Sequence, residues 1–276
     1  MPSGLSTIYR MTKRAGIQKR SPLKVAITAQ CFGVSVGIQC RPCDVPTISA
    51  HLPFGCELVE TSEADPRCIF EVEAHNRSLF SVRRGLFTTT PAPTSLEFAL
   101  KSLQKEIHLY IAEHALHHVF IHAGVVVLKN RVIVFPGFSH AGKSTLVWSF
   151  VQAGAIYYSD EYAVFDEEGF LYPFALPIGL RLEDGNKRLI MPDNVGTSQR
   201  KPDFIVFARY RPGAIWSPTF LEPAASVMKL IRHSIAIRRN PALVLSTLKS
   251  VSLESNAFVS DRSDPHQLLD WIASIA

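Results

Sequence analysis

Apolar positions repeat with two periods along this chain, and the changes of period mark its organisation. Between residues 22 and 86, LKVAITAQ, GVSVGIQC, CIFEVEAH and LFSVRRGL alternate or run apolar, bounded by Pro, Asp, Asn or Gly. Alternation sends successive side chains to opposite faces of a strand, so these stretches predict a small antiparallel β module. After the turn-rich TTTPAPTS, Leu96, Leu100, Leu103, Ile107 and Ile111 fall at helical spacing. Thr94, with Glu97 three residues on, reads as a capping box that opens this helix. From residue 118 the pattern alternates again. VFIHAGVVVL and NRVIVFPG read as strands, STLVWSFVQAG as a helix closed by Gly154, and AIYYS and YAVFD as strands, with a hairpin turn at Glu168-Gly169. DFIVFARY reads as a further strand, and PAASVMKLIRHSIAI and DPHQLLDWIASI as helices. Strand and helix in alternation predict an α/β domain over residues 94–276, joined at 88–95 to a β-rich module over 21–93.

Composition changes this picture little. The 276 residues are 47% hydrophobic and 19% charged, which suits a buried core. The longest apolar stretch, HVFIHAGVVVLKNRVIVFPGF, is cut by His122, Lys129, Asn130 and Arg131, so no membrane span is expected. The net charge of +5 equals the surplus carried by Arg10, Lys13, Arg14, Lys19 and Arg20 in the first 20 residues, read as a basic flexible tail. The remainder is balanced, so charge gives no specific reason to expect nucleic acid. All five cysteines precede residue 69. An odd count in a chain of this size predicts reduced thiols and a cytoplasmic protein. Cys40-Arg41-Pro42-Cys43 has no second pair at zinc-site spacing, and a strand followed by a turn is not the context of a redox C-x-x-C.

The candidate chemistry lies in PGFSHAGKSTL. Gly137, four residues, then Gly142-Lys143-Ser144 match the phosphate-loop pattern G-x4-G-K-[ST], with a strand before and a helix after. Glycines let the backbone curl so that successive N–H groups of Gly137, Ser139, His140, Ala141, Gly142, Lys143, Ser144 and Thr145 face a polyphosphate. The following helix adds its positive N-terminal end. Lys143 would bridge the β- and γ-phosphates, and the Ser144 hydroxyl would ligate Mg²⁺.

A second signal is YYSDEYAVF. The strand after the loop helix returns Asp160 and Glu161 towards the phosphates. Two adjacent acids suit two tasks: one orients Mg²⁺, the other takes a proton from an attacking hydroxyl or water. The histidines of H-x2-H-H-x3-H, His114, His117, His118 and His122, straddle a helix end and a strand and are not placed to converge on a metal. Arg209 and Arg211 in ARYRPG fit either a phosphate grip or a solvated turn.

FIHAGVVV, GFSHAGKST and GAIYYSDEYAVF, in this order and at these intervals, resemble the HPr kinase/phosphorylase family. FALPIGLRL and FARYRPG are more similar to its scattered relatives, some of which accompany peptide-modifying enzymes. The resemblance spans residues 119–213 and implies a P-loop kinase core similar to that of phosphoenolpyruvate carboxykinase. It implies ATP and Mg²⁺ as cofactors, a serine of a protein or peptide as acceptor, and a homo-oligomer. It makes Asp160 the general base, Glu161 the acid near Mg²⁺, and His122 a neighbour of the phosphates. It makes Arg200 and Lys201 a basic loop touching the transferred phosphate. His140 stands where the family has Gly, which means either backbone strain or an imidazole N–H offered to phosphate. The expected function is therefore ATP-dependent serine phosphorylation. A nucleotide-dependent switch or ATPase, or a non-catalytic peptide-binding module, are the alternatives.

Overall fold

A computed structural model describes residues 25–60, 68–85, 87–90, 92–138, 141–181 and 186–275. The basic tail and the loop residues Ser139 and His140 lie outside them. In the N-terminal part, β1 (Ile27–Cys31) and β2 (Val34–Gln39) form a hairpin. After α1 (Val45–Ser49) come β3 (Glu57–Val59), β4 (Cys68–Ala74), β5 (Phe80–Arg84) and β6 (Phe87–Thr88), giving the sheet order β3-β1-β2-β4-β5-β6. Most neighbours are antiparallel, as the alternation predicts, but β2 and β4 run parallel. The chain between them, with α1 and β3, is long enough for the crossover that a parallel pair requires.

The next helix, α2 (Leu96–His114), is capped by Ser95, whose side chain accepts from the Phe98 N–H at 3.4 Å. The cap is one residue later than the sequence pattern suggests. Thr94 is engaged instead in paired backbone hydrogen bonds with Phe80, both 2.8 Å. The buried side of α2, with Leu100, Leu103, Ile107 and Ile111, shares one hydrophobic cluster with the first sheet and with Phe120, Tyr162, Val164 and Phe174 beyond it. The helix therefore joins the two halves through a common core.

The second sheet begins with β7 (His118–Leu128) and β8 (Arg131–Pro136), a hairpin turning at Lys129-Asn130. Both turn residues have positive φ, 47° and 66°, as a tight two-residue turn requires. Then follow α3 (Lys143–Gln152), β9 (Ile156–Ser159), β10 (Tyr162–Asp166), β11 (Leu171–Tyr172) and the ribbon of β12 (Ile178–Arg181) with β13 (Lys187–Ile190). The chain continues through β14 (Phe204–Tyr210), β15 (Thr219–Leu221), α4 (Pro223–Ile231), α5 (Pro241–Glu254), β16 (Asn256–Arg262) and α6 (Pro265–Ile275). The sheet order is β11-β10-β7-β8-β14-β16-β15, with β9 also beside β7. β8, β14 and β16 are parallel, so their C-terminal ends and the loop after β8 share one edge. The fold is mixed α/β. No described helix is long and apolar enough to cross a membrane.

The helix expected over PAASVMKLIRHSIAI stops at Ile231. His233 to Ile235 straighten along the edge of β7, where the His233 carbonyl accepts from the His122 N–H at 2.9 Å and the Ile235 N–H donates to the Phe120 carbonyl at 3.1 Å. No element is expected from the sequence over α5 and β16. Apolar residues occur all round α5, with Val244 and Leu248 buried but Leu245 and Leu253 exposed, which hides the period.

Candidate functional site

The glycine loop leaves β8 beside His122. The Gly137 N–H donates to the His122 carbonyl at 3.1 Å. At the other end of the loop, Gly142 has φ +77° and caps α3. That left-handed conformation suits glycine alone at little cost. Between them, the Lys143 ammonium bends back to donate to the carbonyls of Gly137 at 2.8 Å and Phe138 at 3.0 Å. Leu146, Val147 and Phe150 anchor α3 in the core. Burying each stabilises by roughly 1.5–3 kcal/mol. Gly124 of β7 lets the helix approach, because a Cβ there would stand 2.4 Å from Val147 Cγ2.

Strand register brings the acids to this place. Ser159 pairs with Val125 and Tyr162 with His122, so Asp160 and Glu161 fall opposite Gly124 and Ala123. Cross-strand partners share a face. Asp160 therefore points where Gly124 does, towards α3, with the Ser144 hydroxyl near enough to its carboxyl to favour the ionised form. Burial pushes Asp160 up to about 6, and the Glu161 charge acts the same way. The nearby Ser144 hydroxyl and the charges of Lys143 and Lys187 pull it back. Asp160 Oδ1 is buried without a hydrogen-bond partner. Burial also pushes the Lys143 ammonium down, while Glu161 and Asp160 hold it up.

His122 stacks on Tyr162 with ring centroids 5.1 Å apart, and its Nδ1 lies 3.9 Å from Glu161 Oε1. Burial lowers its pKa, partly offset by Glu161. Two further residues belong here that the sequence did not single out. His233 lies against Phe138, with ring centroids 4.4 Å apart. Burial, with the charges of Lys143 and His122, pushes it down to about 4, and its Nδ1 has no partner. Arg262, at the end of β16, is only 2% exposed. Its Nη2 donates to the Gly142 carbonyl at 2.9 Å, and its Nε is buried with no partner. Neither residue forms part of a local motif. The only trace of Arg262 in the sequence is its place at the end of the alternating stretch NAFVSDR.

Other predicted residues fall differently. Ala141 donates to the Phe138 carbonyl at 3.2 Å within the loop, and Thr145 is exposed on the first turn of α3. Arg200 and Lys201 are not brought to the loop. Arg200 donates to the Asn130 side chain at 2.6 Å, and Lys201 pairs with Glu254 at 2.6 Å. They precede β14, which runs parallel to β8, so they lie at the strand starts, about 20 Å of strand from Gly137. In place of that basic loop, the charge of Lys187 on β13 reaches Asp160. Arg209 and Arg211 do lie at the loop edge of the sheet, and both pair with Asp261. His114 bonds the Tyr110 carbonyl, His117 pairs with Glu167, and His118 packs on Phe32, so these three point to different partners. Cys40 is buried, which pushes its thiol up to about 11, away from redox reactivity.

Ser144, Asp160 and Glu161 together present hard oxygen donors of the kind Mg²⁺ takes. Among the described residues no three His, Cys, Asp or Glu side chains gather to hold a metal unaided. A magnesium ion would therefore complete its shell with phosphate oxygens and water, its usual arrangement in nucleotide sites. No protein-family model matches the chain, and no curated protein matches it at a significant level.

Proposed function

We propose that this protein is an ATP-dependent kinase with a P-loop core that phosphorylates a serine hydroxyl of a protein or peptide in the cytoplasm. The resemblance of its three motifs to the HPr kinase/phosphorylase family supports this reading. The observation that carries it is the pair of cations at the glycine loop, Lys143, which feels Glu161 and Asp160 but forms no ion pair with a described residue, and Arg262, which has no carboxylate near it. Lys143 bonds only loop carbonyls, and Arg262 is buried without a carboxylate beneath Gly142. Buried cations are costly unless paired, and a polyphosphate on the N-terminus of α3 is the anion this geometry suits.

The carboxylate of Asp160 suits a general base. An apparent value near 6 leaves it mostly ionised at neutral pH yet basic enough to accept a proton in flight. It takes the proton of the serine hydroxyl as the hydroxyl oxygen bonds the γ-phosphorus, and the bond to the bridging oxygen of ADP breaks. Lys143 and the N–H groups of the loop hold the phosphate oxygens and offset their charge. Ser144 and Glu161 would hold Mg²⁺, which would supply further charge neutralisation. His122 and His233, kept neutral, stand as hydrogen-bonding groups at the loop mouth.

Asp160→Asn tests this. With labelled ATP and an acceptor, transfer should fall by about 10²–10⁴-fold, the span of a general base. Calorimetric affinity for Mg·ATP should stay within about threefold, since the lost group acts on the hydroxyl. In the unsubstituted protein, transfer should decline as pH falls through about 6, where Asp160 gains its proton. Undiminished transfer by the variant would refute the assignment.

A further inference from the structure

A cleft opens next to the candidate site and runs away from it. One part, about 450 Å³, is lined by Glu113, Ile235, Arg238 and Arg239. A second, about 490 Å³, shares Glu113 and Arg239 and extends past His114 and Asn240 to Ser35 at the tip of the β1–β2 hairpin. Sharing these two residues, the two parts adjoin and make up a trough between the end of α2, that hairpin and the segment after α4.

The backbone ties this trough to the loop. His233 bonds His122, Ser234 bridges to Ile121, and Ile235 bonds Phe120, so residues 233–235 line the edge of β7 from the site to the trough. Glu113 is close enough to Tyr162 for its charge to raise the phenol, and the Tyr162 ring stacks on His122. The trough thus starts at Ile235, beside Phe120, and His233, two residues before Ile235, is bonded to His122 of the site.

Two of the three charged residues that line the trough, Arg238 and Arg239, are basic, and the third is Glu113. From residue 223 to 253 the sequence holds Lys229, Arg232, Arg238, Arg239 and Lys249 and no acid. Arg232, Arg238 and Arg239 are exposed, and among the described residues none of them forms an ion pair. Surface arginines are ordinarily interspersed with acids, and an unpaired basic run flanking a cleft favours an anionic occupant. Glu113 within the same cleft argues against a phosphodiester backbone, which would bring a charge at every unit. A peptide can offer acids to the arginines and an uncharged or donor group to Glu113.

Building on the kinase reading, we propose that this cleft docks the acceptor, and that the acceptor carries Asp or Glu residues beside the serine that is phosphorylated. The test measures anisotropy of a short fluorescein-labelled peptide with one Ser among Asp, Glu and Gly. A counterpart has Lys in place of the acids, and labelled oligothymidylate serves as a third probe. At low salt the protein should bind the acidic peptide about tenfold more tightly than the basic one, and the gap should close near 0.5 M salt, where screening shortens to a few ångströms. Arg238→Glu with Arg239→Glu should remove or invert the preference. Both side chains are exposed, so the fold is kept, which circular dichroism verifies. Glu113→Gln should tighten the acidic peptide by about two- to threefold, as loss of one nearby like charge does. Equal binding of both peptides, or a preference that survives the double reversal, would overturn the proposal. So would oligothymidylate binding more tightly than the acidic peptide and depending on the same arginines. Calorimetry with Mg·ATP separates the two readings. Absence of nucleotide uptake sinks the kinase, whereas lost peptide preference with uptake intact sinks only the docking site.

Discussion

Arg262 concentrates the physics of the candidate site in one side chain. A guanidinium stays charged at any ordinary pH, and this one is buried with a single carbonyl partner. Burial pushes its pKa down, the sign of a charge held where water would be preferred. Such a group destabilises the free protein and rewards an arriving anion. Arg262→Met should therefore leave thermal stability unchanged or raise it by about 1–2 kcal/mol, because a buried charge is replaced by a similar apolar volume. The same variant should weaken Mg·ATP binding by about tenfold through loss of one nearby charge. Scanning calorimetry and titration in one buffer compare the two effects. A variant that melts earlier and binds nucleotide normally would make Arg262 merely structural. Asp160 carries the converse strain, a buried carboxyl with an unmet oxygen. Arginine and aspartate of this kind, each costly alone, are what the proposed kinase reading asks for, where phosphate and a hydroxyl would meet.

Among elements, α3 and β7 decide the geometry. The loop can present N–H groups to a ligand only if α3 begins where β8 ends and lies close on the sheet. Gly124 allows that approach, and Gly142 turns the chain into the helix. Gly124→Ala should push Val147 and the start of α3 outward. Overpacking of this kind costs about 1–3 kcal/mol, read as a lower urea midpoint, with weaker nucleotide binding as Ser144 withdraws from Asp160. An unchanged midpoint would mean that the helix shifts without cost. The same strand shows how an element serves two ends. Even-numbered residues of β7 meet the N-terminal half at Phe120, the site at His122 and α3 at Gly124 and Val126. Odd-numbered residues such as Val119, Ile121 and Val125 fill the core on the other face.

For the whole molecule, the shared cluster around α2 couples the halves. Leu103, Ile107 and Ile111 of the helix, Phe70 and Val82 of the first sheet, and Phe120 and Phe174 of the second are buried in one core. Unfolding one half would strip apolar cover from the other, so a single cooperative thermal transition is expected. Removing residues 1–93 should leave this core face in water and give an aggregating product without a sharp transition, by calorimetry and size-exclusion chromatography. Two well-separated transitions in the intact chain would show independent halves. The cleft beside the site lies at this junction, so its walls depend on both halves being in place.

The local pattern alone determined much of this. Alternation located β1, β2, β4, β5, β7 and β8, and the glycine spacing with its flanking strand and helix located the loop and α3. These are short-range properties: side-chain period, turn chemistry and caps act within a few residues. Asp160 and Glu161 were legible because they follow a strand that must return past the loop helix. Tertiary structure alone decided the rest. Arg200 and Lys201 are basic and loop-like in sequence, yet parallel pairing of β14 with β8 carries them to the far end of the sheet. Arg262 and His233 have no local signature, and only strand order and the straightened segment after α4 bring them to the loop. The parallel pairing of β2 with β4 was hidden for the same reason. Sheet neighbours are chosen by burial summed over the whole core, a sum that no window of sequence contains.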